Sequence, residues 1–209
     1  MRSLLQMGFF LAVVRPFLGL FIGLRVAGRE HLPAREPFLL VANHSSHLDT
    51  VALLNLFPVR RLRRIRPVAA ADYFERNAAV SWLSHTFMNI LPIARKGFSR
   101  EENPVRRMGE ALAAGQSLLL FPEGTRSVTG RVGEFHVGVA ALLEEFPDLA
   151  VHPVFLRNLG RSLPKGEFLP VPFFGEVRLG PPLRPSGDRQ EVAEALRAAV
   201  LALGEDAGG

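Results

Sequence analysis

Two short polar segments, each directly after an apolar run, carry the side chains that could do chemistry in this chain. The first polar segment, residues 43–49, contains His44 and Asp49, and the second polar segment, residues 121–127, contains Arg126. A histidine with a carboxylate partner can act as a general base, and an arginine beside a glycine-containing turn can bind an anion. A base combined with an anion site indicates chemistry on a phosphorylated alcohol.

His44 and Asp49 can meet only across the start of a helix. Residues five apart within a helix are rotated by about 140° from each other, so the two side chains would diverge there. If Asp49 lies in the first turn of a helix and His44 precedes it, the carboxylate can accept a hydrogen bond from Nδ1 and leave Nε2 as the base. Ser46 and Asp49 also have the spacing of a capping box, which is compatible with that geometry. A metal site at His44, His47 and Asp49 is the weaker alternative, and we expect no metal.

The second polar segment reads Phe-Pro-Glu-Gly-Thr-Arg-Ser and predicts an exposed turn. Gly124 permits a positive φ, which frees backbone N–H groups, and Arg126 adds a planar guanidinium. A phosphate would fit this turn. We expect Glu123 to orient Arg126 or to accept a hydrogen bond from a glycerol hydroxyl. Taken alone, however, Pro-x-Gly after a strand would indicate a plain turn.

The composition excludes several kinds of chemistry and favours an anionic partner. The 209 residues fit one sizeable domain, and the absence of cysteine excludes disulfides, thiol nucleophiles and cysteine-ligated metals. The net charge of +5 comes almost wholly from arginine, which suits contact with phosphate. The 16 phenylalanines lie in apolar runs rather than alternating with arginine, so membrane lipid is favoured as a partner and nucleic acid is not.

Residues 1–26 form an apolar segment that we expect to be helical and to associate with a membrane. Arg15 and Pro16 interrupt it near the centre, and a central arginine costs about 2.5 to 3.5 kcal/mol on insertion scales. Short helices lying in the membrane surface tolerate these residues better, and an ordinary core helix is the alternative. We therefore expect peripheral or monotopic attachment to the cytoplasmic face of the cell membrane.

The remaining residues, 27–209, are predicted to form one α/β domain with a mixed sheet flanked by helices. Apolar runs predict strands at 38–42, 67–71, 117–121, 149–156 and 176–179, and helical patterns occupy 50–57, 72–88, 100–114, 137–146 and 188–203. Both polar segments then lie where strands end. Pro153, inside the fourth of these strands, predicts an edge strand or a bulge.

A cluster of five arginines lies within residues 60–66. So much like charge repels itself unless an anion approaches, so we interpret the cluster as a contact for lipid headgroups or for the phosphates of an acyl donor. A solvated face of a helix or loop is the alternative.

The two polar segments together resemble the glycerolipid acyltransferases, whose best-known members are the 1-acyl-glycerol-3-phosphate acyltransferases. The resemblance rests on Asn43-His44, on Asp49 after four further residues, and on the second polar segment. Two weaker blocks agree in order, residues 89–95 and residues 151–154. The resemblance makes residues 27–209 an acyltransferase domain.

The resemblance also implies the reaction. His44 would be the general base that deprotonates the hydroxyl of a lysophosphatidate-like acceptor, and Asp49 would orient it. The alkoxide would attack the thioester of acyl-CoA or acyl-carrier protein, which is a substrate, so that no cofactor is needed and phosphatidic acid is formed. The substrate-binding residues implied by the resemblance are Asn43, Arg95, Glu123, Gly124, Thr125, Arg126 and Pro153.

The chain departs from the family pattern at three positions. Asn89 and Pro92 replace a glycine and a phenylalanine of the block that ends at Arg95, and His136 stands where relatives often carry a lysine. These departures leave the acceptor headgroup open. The alternatives are an acyltransferase for another lysophospholipid or an amino-lipid, and a lipid-binding protein without catalysis.

Overall fold

A mixed seven-stranded sheet forms the centre of the computed structural model. The structure describes residues 2–71, 81–82, 84–94, 97, 99, 102–127, 129–163, 171 and 174–205, with side chains from residue 4 onward. The strands are β1 Arg25–Ala27, β2 Leu39–Ala42, β3 Ile65–Ala70, β4 Leu91–Ile93, β5 Ser117–Leu120, β6 Val151–Arg157 and β7 Glu176–Leu179. The α-helices are α1 Arg2–Phe9, α2 His47–Asn55, α3 Pro104–Ala113, α4 Gly138–Glu145, α5 Leu159–Ser162 and α6 Arg189–Glu205.

The strand order brings the two polar segments to one edge of the sheet. The order is β1-β7-β6-β2-β5-β3-β4, and the five strands from β6 to β4 are mutually parallel. β7 runs antiparallel to β6, and β1 runs parallel to β7. The first polar segment follows β2 and the second follows β5. Because β2 and β5 are paired neighbours, both segments leave the sheet side by side.

Two apolar layers cover the sheet, because successive strand residues point to opposite faces. In β2, Leu40 and Ala42 join a core with α2 and the N-terminal helix, whereas Leu39 and Val41 join a second core with α3, α4 and α6. The strand is buried on both faces, as expected for a central parallel strand. The expected α/β fold with a mixed, helix-flanked sheet is confirmed.

The N-terminal helix runs from residue 2 to residue 21 and uses its two sides differently. It begins as α1 and continues through two π-helical segments, Phe10–Val14 and Phe17–Phe21, on either side of Pro16, whose ring cannot fit a regular α-helical ladder. An inner stripe at spacing four is buried in the core and consists of Phe10, Val14, Leu18 and Ile22. An outer apolar face is exposed and consists of Leu4, Leu5, Leu11, Val13, Leu20 and Phe21.

This helix is also apolar enough to cross a bilayer by length and composition. The stretch Leu4–Phe21 has a mean hydropathy of 1.8, and 22% of it is buried against the protein. Arg15 reaches back to donate to the Phe57 carbonyl oxygen at 3.4 Å. The helix is therefore both a core element, on its inner side, and an apolar surface, on its outer side. β1 starts at Arg25, so the sheet already begins within the segment predicted as residues 1–26.

Within the described residues, most predicted elements are present with shifted ends, and several short ones were not predicted. The helix expected at 50–57 begins three residues earlier, at His47. The three-residue strands β1 and β4 and the short helix α5 had no clear sequence pattern. Of the helix expected at 72–88, residues 72–80 and 83 lie outside the described residues, and Ser84–Met88 forms a π-helical turn.

The prediction that Pro153 marks an edge strand or a bulge is wrong. β6 lies inside the sheet, between β2 and β7, and Pro153 pairs with Val41 in regular register. The Pro153 carbonyl oxygen accepts from Gly180 N at 3.0 Å, just beyond the end of β7. In a strand, the N–H and C=O of one residue point to the same side. The N–H that proline lacks would therefore point toward the end of β7, and the ladder with β2 loses no hydrogen bond.

The arginine cluster at residues 60–66 divides into inward and outward side chains. Arg61 pairs with Glu36 at 2.6 Å and lies over the rings of Phe38 and Phe57. Arg66 donates to the Ile90 carbonyl oxygen at 3.0 Å. Its pKa is lowered mainly by burial and, to a smaller extent, by the charge of Arg107. The other three, Arg60, Arg63 and Arg64, are exposed. Part of the cluster is thus structural, which the sequence interpretation did not anticipate.

Candidate active site

Ser46 starts helix α2 and thereby fixes the geometry of the first polar segment. Its Oγ accepts from Leu48 N at 3.2 Å, and Asp49, three residues on, accepts from Ser46 N at 2.8 Å. This reciprocal pair is the predicted capping box. The same Oγ donates to the Leu163 carbonyl oxygen at 2.9 Å, so the loop after α5 also holds the helix start.

The capped turn places the Asp49 carboxylate against the imidazole of His44, as predicted for a pair that meets across a helix start. Asp49 Oδ2 lies 2.9 Å from His44 Nδ1 and also accepts from the backbone N of Ser45 at 2.6 Å and of Ser46 at 2.8 Å. Asp49 is fully buried, and its Oδ1 has no hydrogen-bond partner among the described atoms. With Nδ1 turned to Asp49, Nε2 is the nitrogen of His44 that can accept a proton.

The second polar segment supports His44 from the other side. The ring of Phe121 stacks on the imidazole at 4.0 Å between centroids and 15° between planes. Ser127 N donates to the His44 carbonyl oxygen at 2.8 Å. Glu123 Oε1 accepts from His44 N at 2.9 Å. The imidazole and the backbone of His44 are therefore both held. The supporting residues come from the segment after β2, through Asp49, and from the segment after β5.

Glu123 joins three parts of the molecule. Its side chain is 7% exposed, and its second oxygen, Oε2, accepts from Gly133 N at 3.1 Å. Burial raises the pKa of Glu123, while the hydrogen bonds from His44 and Gly133 act in the opposite direction. Arg197 of α6 donates to the Gly133 carbonyl oxygen at 2.8 Å, which extends the connection to the last helix. Both carboxylate oxygens of Glu123 are thus directed at backbone N–H groups, a use that the sequence prediction missed.

Gly133 permits this connection because it has no side chain. A Cβ at that position would lie 3.0 Å from Glu123 Oε2. No local sequence pattern singled out Gly133 or Arg197, since both act through contacts with residues far away in the chain. One signal in the sequence could have indicated a structural role for Glu123. It is a negative charge placed between an apolar run and a segment predicted to bind an anion.

The turn at Gly124 has the predicted form. Gly124 has φ +66°, and a Cβ there would lie 3.0 Å from the ring of His136, which packs over the turn. Gly124 and Thr125 are exposed and Arg126 is half-buried. His136 N donates to the Pro122 carbonyl oxygen at 2.9 Å, so the unusual histidine is tied to the second polar segment.

Arg126 faces the first polar segment, as the electrostatics of His47 indicate. The His47 side chain is partly buried and keeps an exposed part. Its pKa is lowered to about 4 by burial, by the charge of Arg126 and by His44, while the charge of Asp49 acts in the opposite direction. His47 is the first residue of α2, where a positive charge would also oppose the helix dipole. His47 is therefore neutral at physiological pH, and the nearby cation is Arg126.

Asn43 and Pro153 are turned into the structure behind the site. The amide of Asn43 is buried and pairs with the backbone of Leu156 on β6, through Nδ2 to O at 2.9 Å and N to Oδ1 at 2.7 Å. Pro153 is buried within β6, where its Cγ lies 3.0 Å from the position of a Cβ on Gly180. Arg95 lies outside the described residues. The structure thus brings together His44, Asp49, Glu123, Gly124, Thr125 and Arg126, with Asn43 behind them.

Known proteins with similar sequences carry acyltransferase names. A chloroplast 1-acyl-sn-glycerol-3-phosphate acyltransferase of Arabidopsis thaliana is 30% identical over 147 residues, which are 70% of this chain and 39% of the relative. The alpha 1-acyl-sn-glycerol-3-phosphate acyltransferase of mouse is 26% identical over 198 residues, covering 87% of this chain and 64% of the relative. The chain therefore spans only about two fifths of the length of the plant relative.

The fold is also found in a solved structure. The 1-acyl-sn-glycerophosphate acyltransferase PlsC of Thermotoga maritima superposes with a TM-score of 0.75 over 99% of this chain and 80% of that protein, at 21% identity. This likeness concerns the fold. The sequence model of the Acyltransferase family matches residues 23–157, well over half of the chain, and this range contains both polar segments. The chain belongs to the Acyltransferase family.

Proposed function

We propose that this protein transfers a fatty acyl group from an acyl thioester to the free hydroxyl of 1-acyl-glycerol-3-phosphate, which gives phosphatidic acid. The observation that carries the proposal is the 2.9 Å contact between His44 Nδ1 and the buried Asp49 carboxylate, which leaves Nε2 as a base. The names of the relatives, which specify this acceptor, support the choice of substrate.

The proposed reaction needs one base and no covalent acyl-enzyme. His44 Nε2 takes the proton of the acceptor hydroxyl while the oxygen attacks the thioester carbonyl carbon. The tetrahedral intermediate collapses, the carbon–sulfur bond breaks, and the thiolate takes the proton from the imidazolium. Asp49 holds the tautomer and stabilises the transient positive charge. The donor would be acyl-CoA or acyl-carrier protein, a substrate rather than a resident cofactor.

The acceptor phosphate would lie at the turn of the second polar segment. We assign its contacts to the exposed backbone of Gly124 and Thr125 and to the guanidinium of Arg126, with Arg95 as the further residue implied by the family resemblance. Glu123 and Asn43 receive a different role from the predicted one. Because their polar atoms are turned to backbone groups, we assign them to positioning His44 and its strand. Pro153 would act at most through the packing of β6.

The outer apolar face of the N-terminal helix would hold the protein on the cytoplasmic face of a membrane. Its most exposed member is Leu20, at 89%. The residues Val59–Arg64, which contact α1, carry the exposed Arg60, Arg63 and Arg64 beside this helix. Apolar side chains flanked by arginine suit the boundary between acyl chains and anionic headgroups. We propose peripheral or monotopic attachment, with membrane lipid as partner and the site at the bilayer surface.

A second candidate function is acylation of another lysophospholipid or an amino-lipid. The observation that favours it is His136, which packs over the Gly124 turn where a fixed cation would otherwise be expected. An imidazole carries no permanent charge, so it recognises a doubly charged phosphate monoester less strongly than a permanent cation would. Acceptors that differ only in headgroup, offered with one donor, separate the two candidates by their kcat/KM values.

The proposed chemistry is tested by replacing the base. We expect His44→Ala to lower the rate of thiol release from acyl-CoA, in the presence of lysophosphatidate, by at least about 100-fold. His31→Ala, a histidine change outside the site, serves as the matched control. Vesicle binding and the melting temperature of His44→Ala should match the parent. Turnover retained by His44→Ala would remove His44 as base, and an inactive parent would favour a non-catalytic lipid-binding protein.

A further inference from the structure

A polar cavity of about 270 Å³ opens at the same edge of the sheet as His44. Its wall includes Arg157, the last residue of β6, and Glu176, the first residue of β7. β6 is the direct neighbour of β2, and a Cβ on Gly160, three residues after Arg157, would lie 3.0 Å from the side chain of Ser45. The cavity thus borders the strand next to β2, the strand that leads to His44.

The cavity is rich in guanidinium groups. Glu176 of β7 pairs with Arg25 on β1 and with Arg157 on β6. The three side chains therefore form one row on the same face of the sheet. Glu176 is already paired with Arg178, whose Nη2 lies at 2.8 Å. The described lining therefore carries three positive charges and one negative charge. Such a surface favours a ligand with more than one negative charge.

An exposed aromatic ring borders the same cavity. Phe174 is 70% exposed, and the guanidinium carbon of Arg25 lies 5.7 Å from its ring centroid. Its backbone is fixed, because Asn158 Nδ2 donates to the Phe174 carbonyl oxygen at 3.3 Å and Arg25 N donates to the Gly175 carbonyl oxygen at 2.9 Å. An exposed ring on a hydrogen-bonded backbone, beside arginines, offers a stacking surface for a planar base.

We propose that this cavity binds the phosphorylated nucleotide end of an acyl-coenzyme A donor. Arg25 and Arg157 contact the phosphates, and Phe174 stacks on the adenine. The pantetheine arm then runs across the end of β6 toward Ser45, which places the thioester beside His44. This inference rests on the proposed acyl transfer and selects coenzyme A, rather than a carrier protein, as the donor's carrier group.

The test compares two donors that share the thioester and differ in the nucleotide. With acyl-CoA, Arg25→Gln combined with Arg157→Gln should raise the donor KM about tenfold or more, because each arginine loses charge-assisted hydrogen bonds. With acyl-pantetheine, which lacks the nucleotide, the double variant and the parent should have the same donor KM. The acceptor KM should not change. Phe174→Leu should raise the KM of acyl-CoA several-fold and leave that of acyl-pantetheine unchanged.

The matched control is Arg106→Gln combined with Arg189→Gln, which removes the same charge from exposed ion pairs on α3 and α6. An equal rise of the acyl-CoA KM in this control would overturn the proposal, because it would reflect net charge alone. An unchanged donor KM in the cavity variants would also overturn the proposal. If these variants instead lost binding to anionic phospholipid vesicles at a normal donor KM, the cavity would be assigned to a lipid headgroup.

A direct binding measurement separates this inference from the proposed reaction. Calorimetry with free coenzyme A should give weaker binding for the double variant than for the parent, and dephospho-coenzyme A should bind the parent less tightly than coenzyme A does. If the parent transfers no acyl group from either donor but binds coenzyme A in this way, the proposed function fails and the cavity assignment stands. If coenzyme A does not bind while acyl-pantetheine is used, the cavity assignment fails alone.

Discussion

The two polar segments at the sheet edge differ in how their side chains are held. In the first segment, three polar side chains, Asn43, Ser46 and Asp49, are buried and bonded to the backbone. In the second segment, Gly124 and Thr125 are exposed and Arg126 is half-buried. The reacting group therefore sits on a rigid support, whereas the proposed contacts for the acceptor lie on an open turn.

One residue crosses that division. Glu123 belongs to the second segment by sequence, yet it is buried and holds His44 N at 2.9 Å. The second segment thus contains residues that support the base, Phe121, Glu123 and Ser127, and one, Arg126, that is exposed enough to meet a ligand. Position in a motif therefore does not define a role. Variants of Glu123 should change kcat, whereas variants of Arg126 should change the acceptor KM.

Among the variants that compare the two segments, the largest effect is expected for Glu123→Gln. The amide can accept a hydrogen bond through its oxygen only, and its NH₂ group would oppose one of the two backbone N–H groups, so His44 would shift. Since a displacement of about 1 Å can cost about 100-fold in rate, we expect kcat to fall between about 10- and 100-fold with the acceptor KM nearly unchanged. Steady-state kinetics check this, with the exposed Glu134→Gln as control. A raised acceptor KM at normal kcat would instead place Glu123 against the substrate.

A smaller and different effect is expected for Arg126→Gln. Loss of a charge-assisted contact with the acceptor phosphate should raise the acceptor KM about tenfold, while kcat and the donor KM stay close to those of the parent. Kinetics with each substrate varied in turn measure this, and the exposed Arg131→Gln controls for net charge. Equal changes in both KM values would contradict the assignment of the phosphate site.

The smallest effect concerns stability rather than catalysis. Because the pKa of His47 is about 4 in the folded protein, against an ordinary value of 6.5, the unfolded chain binds a proton between these values that the folded chain does not. Stability therefore falls as the pH falls from 6.5 toward 4. In His47→Gln this loss should be smaller. Urea unfolding at pH 6.5 and pH 4.5 checks it, with His31→Gln as control, and an equal loss in both variants would show that His47 is not responsible.

The first polar segment could be predicted because its determinants are local. Ser46, Asp49 and His44 lie within six residues, and helix geometry alone restricts where they can meet. The support that Glu123 gives to His44 spans 79 positions, and the pairing of Asn43 with Leu156 spans 113, so no local pattern contains them.

The same reason explains the errors in the fold. β1 and β4 have three residues each, too few for a period of two to be recognised, and they exist because a neighbouring strand offers an edge. Pro153 was predicted to mark an edge strand or a bulge because the end of β7 could not be known in advance. The arginines at 61 and 66 looked like surface charge, and only their distant partners turn them inward.

One oxygen atom, Asp49 Oδ2, accepts three hydrogen bonds, from the His44 imidazole and from the first two amides that lead into α2. Fraying of the first turn of α2 would therefore release the base at the same moment. Any partly opened form in which the Ser45 and Ser46 amides exchange with solvent is also a form without an oriented base. Hydrogen exchange at these two amides thus reports the fraction of molecules that are poised for catalysis, without any substrate being present.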